Sequence, residues 1–143
     1  MIKFLIITLL SICSLGFGQN SSLTINVSGL KNSTGILTAE LYSSKEKFLK
    51  TAYKKGSAAI KSNAASVTFS DIPKGEYTVL VYHDMNNNGK LDKSFIGMPK
   101  EPVACSNNAK GFMGPPKYEE AKFTITSDSK INIKMSDAHY PKK

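Results

Sequence analysis

Arginine is absent from this chain, and so is tryptophan. All nineteen basic residues are lysines, set against eleven acids for a net charge of +8. Nucleic-acid readers rely on the guanidinium fork for paired contacts to phosphate and guanine, so a lysine-only excess argues against that partner. It describes a solvated surface, with a salt-sensitive attraction to anionic envelope surfaces as a further property. Cysteine is scarce, at two residues. A nucleophile elbow, an HExxH helix and a glycine-rich phosphate loop are all missing. Glu119 and Glu120 are adjacent, so on a strand they face opposite ways and cannot act as a pair. No catalytic residue is assigned.

What the chain has first is a processing signal. Lys3, an apolar run over residues 4–15 and Gly16-Phe17-Gly18 form the pattern of a secretory leader cleaved before Gln19. The run is shorter than the roughly 20 apolar residues of a membrane span. Lipid attachment at Cys13 would want a small residue before it, where Ile12 stands. The expected organisation is a signal peptide, residues 1–18, and a single domain, residues 19–143, secreted or periplasmic and not membrane-spanning. Processing leaves eighteen lysines against eleven acids, a net +7, and Cys105 as the one thiol. Without a disulfide the domain must hold by packing, or with the help of an ion. Cys105 reads as a small apolar residue, since a nucleophile would need a base and His83 is the one histidine outside the tail.

The domain then reads as strands. Residues 21–30 alternate, with Leu23, Ile25 and Val27 on one face, and residues 36–42 resume the period with Leu37, Ala39 and Leu41 inward. The pair reads as an opening hairpin. Residues 43–55 change period: Ser43 and Glu46 fit a capping box, Phe48, Leu49, Ala52 and Tyr53 share a helical face, and Gly56 stands where a left-handed cap would end a short helix. Residues 58–60 and 66–69 are short strands. Residues 76–84 are apolar on both faces, which expects a central strand covered on each side. Residues 121–126 and 130–135 read as a closing hairpin. The fold class expected is mainly β: a single antiparallel β-sandwich of about seven strands with one short helix. The connection over residues 93–120 is long, and its Phe95, Ile96, Met98, Phe112 and Met113 expect a packed loop.

Chemistry gathers at residues 84–92. Asp84, Asn86, Asn88, Gly89, Lys90 and Asp92 follow the first half of a D-x-N-x-N-G calcium loop. Calcium wants six to eight oxygens, so short oxygen side chains must converge from one tight curve. Asp84, Asn86 and Asn88 would point inward, Lys90 would add its carbonyl, and Asp92 would reach directly or through water. Phe95 stands where a bidentate Glu is wanted, and Glu101 would complete the sphere if the loop folds back. So few charges expect weak affinity, with a Kd on the order of 10⁻⁴ to 10⁻³ M. The alternative is a plain Asn-Gly turn. Residues 110–116 are a second feature, in which two glycines and two prolines restrict the backbone and Phe112 either caps the core or forms a contact patch. His83, Asn107, Asn108, Lys110 and Phe112 are the candidate ligand-binding residues.

GEYTVLVYHDMNNNGKLD over residues 75–92, FIGMPKEP over 95–102 and SNNAKGFMGPPKYEEAKF over 106–123 resemble, in order, the motifs of an exported bacterial family, domain of unknown function 2141. The resemblance spans nearly the whole domain. It implies a small exported protein with a transthyretin- or prealbumin-like sandwich, and it transfers no catalytic residue, because the family carries no established activity. His83, Asp84, Asn86, Asn88, Gly89, Asp92, Asn107, Asn108, Gly111, Gly114 and Pro115 match its pattern. Cys105 departs from it, since relatives tend to carry an aromatic there.

Three functions stand at this point. The leading one is a non-catalytic exported binding or structural module, whose contact surface is built from residues 84–92 and 106–116, with calcium as the one cofactor in view. Its partner would be a protein or glycan of the cell envelope. The others are an envelope enzyme using His83 and Asp84, and an envelope-associated structural protein held by its lysines.

Overall fold

The computed structural model describes residues 18–112 and 114–135. The segment expected to be a signal peptide, as far as residue 17 and with Cys13, lies outside the described residues, as do Met113 and the tail from residue 136. The chain is mainly β. Among the described residues eight strands run in order: β1 (Ser21–Ser28), β2 (Ile36–Tyr42), β3 (Lys54–Ala59), β4 (Ala65–Ile72), β5 (Gly75–Asp84), β6 (Val103–Cys105), β7 (Phe123–Ile125) and β8 (Ser129–Lys134). They form two sheets. One has the order β4-β1-β8, the other β3-β2-β5-β6, with β7 also on β5.

Alternation builds the core between the sheets. Leu23, Ile25 and Val27 of β1 and Leu37, Ala39 and Leu41 of β2 are buried together with Val67, Phe69, Val79, Val81 and Ile133. Each side chain of this size contributes about 1.5–3 kcal/mol on full burial. The far face of the second sheet carries a smaller cluster: Tyr42, Phe48, Leu80, Tyr82, Cys105 and Ala121. β5 is therefore buried on both faces, as its sequence predicts.

Neither expected hairpin forms. β1 pairs antiparallel with β4 and parallel with β8, while β2 pairs with β3 and β5. β7 joins β5, and β8 joins β1. Period-two alternation fixes which face is buried but not which strand lies alongside, and both short connections cross from one sheet to the other. Nor is the domain wholly antiparallel, since β1 and β8 match Leu23 to Ser129 and Val27 to Ile133 in the same direction.

The helix expected over residues 43–55 stops after about one turn. Phe48 N–H reaches Ser44 O at 3.1 Å and Thr51 N–H reaches Lys47 O at 3.0 Å, but Leu49 takes a left-handed φ of 59°. The apolar stripe is real, for Phe48, Leu49 and Ala52 pack on the smaller cluster. The chain must turn back there to pair β3 with β2. Gly56 is no cap: it lies within β3, where a Cβ would come within 3.0 Å of the Phe69 and Val67 side chains. Among the described residues the one short α-helix is α1 (Tyr118–Ala121).

The packed-loop expectation also fails. Within residues 93–120 the chain forms β6, a 3₁₀ turn at Ser106–Asn108 and α1, yet Phe95 is 102% exposed, Ile96 66%, Met98 53% and Phe112 92%. Phe112 therefore does not cap the core. Among the described residues no helix is long and apolar enough to cross a membrane.

Candidate functional site

β5 delivers His83 and Asp84 to the point where the chain leaves the sheet, and both are fully buried. The imidazole Nε2 lies 2.6 Å from Thr34 O. A carbonyl only accepts, so Nε2 carries the proton. Nδ1 has no hydrogen-bond partner among the described residues. The His83 N–H donates to Pro102 O at 3.0 Å. Gly35, at φ +76°, is pressed against the same strand end, where a Cβ would sit 2.1 Å from Asp84 O. These contacts make His83 part of the wall.

Residues 84–92 curl as their spacing predicts. Asp84 Oδ1 accepts from Asn88 N–H at 3.1 Å and Oδ2 from Gly89 N–H at 2.7 Å. Asn86 Oδ1 accepts from Asn88 N–H at 3.2 Å, and Asn88 Oδ1 from Lys90 N–H at 2.9 Å. Short amide side chains here close turns on their own backbone. Asn87 and Gly89 take the left-handed φ values, 58° and 75°, that the curve requires. Asp92 closes the far side: Oδ2 accepts from Asn86 Nδ2 at 2.6 Å and Oδ1 from Asn88 Nδ2 at 2.8 Å. The Asn88 and Asn86 amides hold the Asp92 carboxyl below its ordinary pKa.

Glu101 does fold back. It is 5% exposed, and its carboxylate bridges the two ends of the loop, taking Met85 N–H at 3.0 Å and Asp92 N–H at 3.1 Å. All three carboxylates, Asp84, Asp92 and Glu101, thus have both oxygens engaged by N–H donors. Lys55 Nζ donates to Gly89 O at 2.6 Å, pairs with Glu40 at 3.3 Å and sits 5.6 Å from the Tyr82 ring centre. Lys90 contributes its backbone N–H to the curve, and its side chain is exposed. Among the described residues no group of three or more His, Cys, Asp or Glu side chains stands in an arrangement that could hold a metal ion. The oxygens that would have to serve are the second lone pairs of these carboxylates and the Asn86 and Asn88 amides.

The second half of the expected surface lies elsewhere. β6 runs antiparallel to β5 with Leu80 opposite Cys105, and the Val79 N–H donates to Ser106 Oγ at 3.0 Å. Asp84 is five residues further along β5, roughly 17 Å at the rise of a strand. Asn107 and Asn108 both take left-handed φ, 58° and 49°. Asn107 Nδ2 donates to Glu120 O and Lys122 O at 3.1 and 2.8 Å, and Asn108 Oδ1 accepts from Lys134 N–H at 2.9 Å. They bind α1 and β8 into the domain and do not join His83. Lys110 and Phe112 follow them and are exposed. Ser106, which opens the expected contact surface of residues 106–116, serves the backbone instead of a ligand: it is fully buried and also donates to Ala121 O at 2.5 Å. Cys105 beside it is 3% exposed, and burial pushes its thiol up to about 12, so it is no nucleophile at neutral pH.

The family model for DUF2141, described as an uncharacterised protein conserved in bacteria, matches residues 25–134. No curated protein and no solved structure matches the chain.

Proposed function

The chain belongs to the DUF2141 family, and from that premise we propose that it is a non-catalytic exported module, a sandwich of the transthyretin-like type whose residues 84–101 form a rigid rim. One observation carries this reading: every carboxylate of the rim is satisfied by the chain's own N–H groups, so the rim is built to hold a shape. Catalytic use of His83 and Asp84 gains no support, because both are buried and already bonded within the fold. The curl at residues 84–92 would meet a protein or glycan of the cell envelope. Calcium is the ion the rim would take: Asp84, Asn86, Asn88 and Asp92 supply oxygens, Lys90 its carbonyl, and Glu101 stands in for the missing bidentate acid.

Thermal unfolding with calcium and with chelator, on the natural protein and Asp84→Ala, tests the ion. At ligand one hundred times Kd the linkage contribution is about 2.7 kcal/mol. The expected result is a calcium-dependent rise in Tm that Asp84→Ala abolishes. A melting point unmoved by millimolar calcium removes calcium and leaves the self-satisfied rim standing.

A further inference from the structure

Residues 93–99 form a closed turn that projects from the rim. Ser94 N–H donates to Met98 O at 2.8 Å, Gly97 N–H to Ser94 O at 2.9 Å and Met98 N–H to Ser94 Oγ at 3.2 Å, while Lys93 and Pro99 bridge its stem. Below the stem Lys100 N–H donates to Asp92 O at 2.8 Å, and Glu101 anchors Asp92 in turn. The tip carries Phe95, Ile96 and Met98, exposed by 102%, 66% and 53%. Water-exposed apolar side chains gathered on a firmly tied turn mark a contact site.

Charge says what it contacts. Residues 93–100, KSFIGMPK, hold two lysines and no acid. Lys90, Lys93 and Lys100 are all exposed around the base of the tip. The acids at the base are turned to the loop's own N–H groups, and Glu101 is buried. We propose that this turn is a membrane-docking wedge: Phe95, Ile96 and Met98 enter the acyl boundary of an anionic bilayer while Lys90, Lys93 and Lys100 meet its headgroups. Apolar side chains below a ring of lysines match the depth profile of a lipid interface. Each lysine near an anionic surface strengthens binding about fivefold. A convex tip suits a fluid surface, whereas a protein partner would need a preformed hollow for it. Because the turn is already closed, docking orders little chain.

The absence of tryptophan supplies the test. Phe95→Trp places the single indole of the protein at the tip, where it can be excited apart from the six tyrosines. On addition of vesicles containing phosphatidylglycerol its emission should shift to the blue, and brominated acyl chains should quench it. Lys93→Glu with Lys100→Glu in the same background should weaken partition about tenfold or more. The control Lys130→Glu with Lys134→Glu makes the same charge change on exposed positions of β8 and should stay within about twofold. Co-sedimentation of Ile96→Ser with Met98→Ser, without the indole, should show a loss of about tenfold. No blue shift on anionic vesicles from a folded Phe95→Trp protein overturns the proposal. So does equal weakening by the β8 pair, which would make the attraction a property of net charge alone. A shift obtained only with envelope proteins and never with lipid also overturns it, and identifies a protein partner.

Discussion

Glu101→Ala should unfasten the two ends of the rim. The carboxylate is 5% exposed and accepts two backbone N–H groups, Met85 at 3.0 Å and Asp92 at 3.1 Å, from the two ends of one loop. A hydrogen bond to a charged group contributes about 1.5–3 kcal/mol. Two would reach about 3–6 kcal/mol, but Met85 is 45% exposed and Asp92 half-buried, so water recovers part of both. The expected loss is about 2–4 kcal/mol, or roughly 10 °C in Tm for a domain of this size. Glu101→Gln should rescue little, within about 1 kcal/mol of alanine, because one of its two terminal atoms is a donor aimed at a backbone N–H. Urea unfolding read by linear extrapolation measures both, with the slope unchanged if only the native state is affected. Released from Glu101, the stem should also open to trypsin after Lys93. A loss below about 0.5 kcal/mol for alanine, or a glutamine variant as stable as the natural protein, would refute the bridging role.

Other consequences are as specific. Gly35→Ala should cost several times more than Gly89→Ala: both sit at left-handed φ, but a Cβ at Gly35 meets Asp84 O at 2.1 Å while one at Gly89 meets open space, so the second should cost only about 1–2 kcal/mol in a thermal melt. Cys105 should resist alkylation in the folded protein and react on unfolding. Its pKa is raised by burial, to about 12, so folding is favoured fully below the unfolded thiol's value and stability falls as pH climbs from about 9 toward 12. Tyr42, raised by burial and its bond to Glu40, acts with the same sign, and a flat alkaline stability curve would contradict both. Asn107→Ala should loosen α1 and the strand after it, losing about 1–2 kcal/mol with faster amide exchange at Lys122.

The strands were legible because alternation is a property of one segment. β2 falls on the residues its period marks, and β5 announces its double burial. Their partners were not legible, because chain proximity misleads when a short connection, residues 29–35 after β1 or 126–128 after β7, passes between sheets. β3 reads KKGSAA, with no alternation of polarity, and is a strand because β2 offers it a ladder. The helix over residues 43–55 had caps and stripe in its favour, and the pull of β3 and the smaller cluster outweighed them at Leu49. In the rim, Asp84, Asn86, Asn88 and Asp92 could be grouped from spacing alone, since all their bonds lie within nine residues. Glu101 was reachable as a guess about a returning loop. Asn107 and Asn108 looked like binding residues because asparagine serves ligands and backbone with the same atoms, and only the register of β6 against β5 separates the two uses.

That dual use of asparagine also determines how calcium would have to enter. Asp84 can keep its bonds to the Asn88 and Gly89 N–H groups and still present second lone pairs to an ion. Asn86 and Asn88 also keep a second lone pair on Oδ1, but each amide is fixed at both ends, its Nδ2 group by Asp92 and its oxygen by a backbone N–H group, so it cannot be re-aimed freely. Presenting an amide oxygen to calcium means turning it and giving up bonds on both sides. Any calcium affinity would be weakened by that rearrangement as well as by the small number of charges. Calcium titration followed by NMR should therefore move the side-chain amide resonances of Asn86 and Asn88 strongly, and the backbone amide of Gly89, which bonds to Asp84, much less. Equal movement of both sets would mean that Asp84 also lets go of its backbone, and the curve would then be a product of the ion instead of the scaffold that receives it.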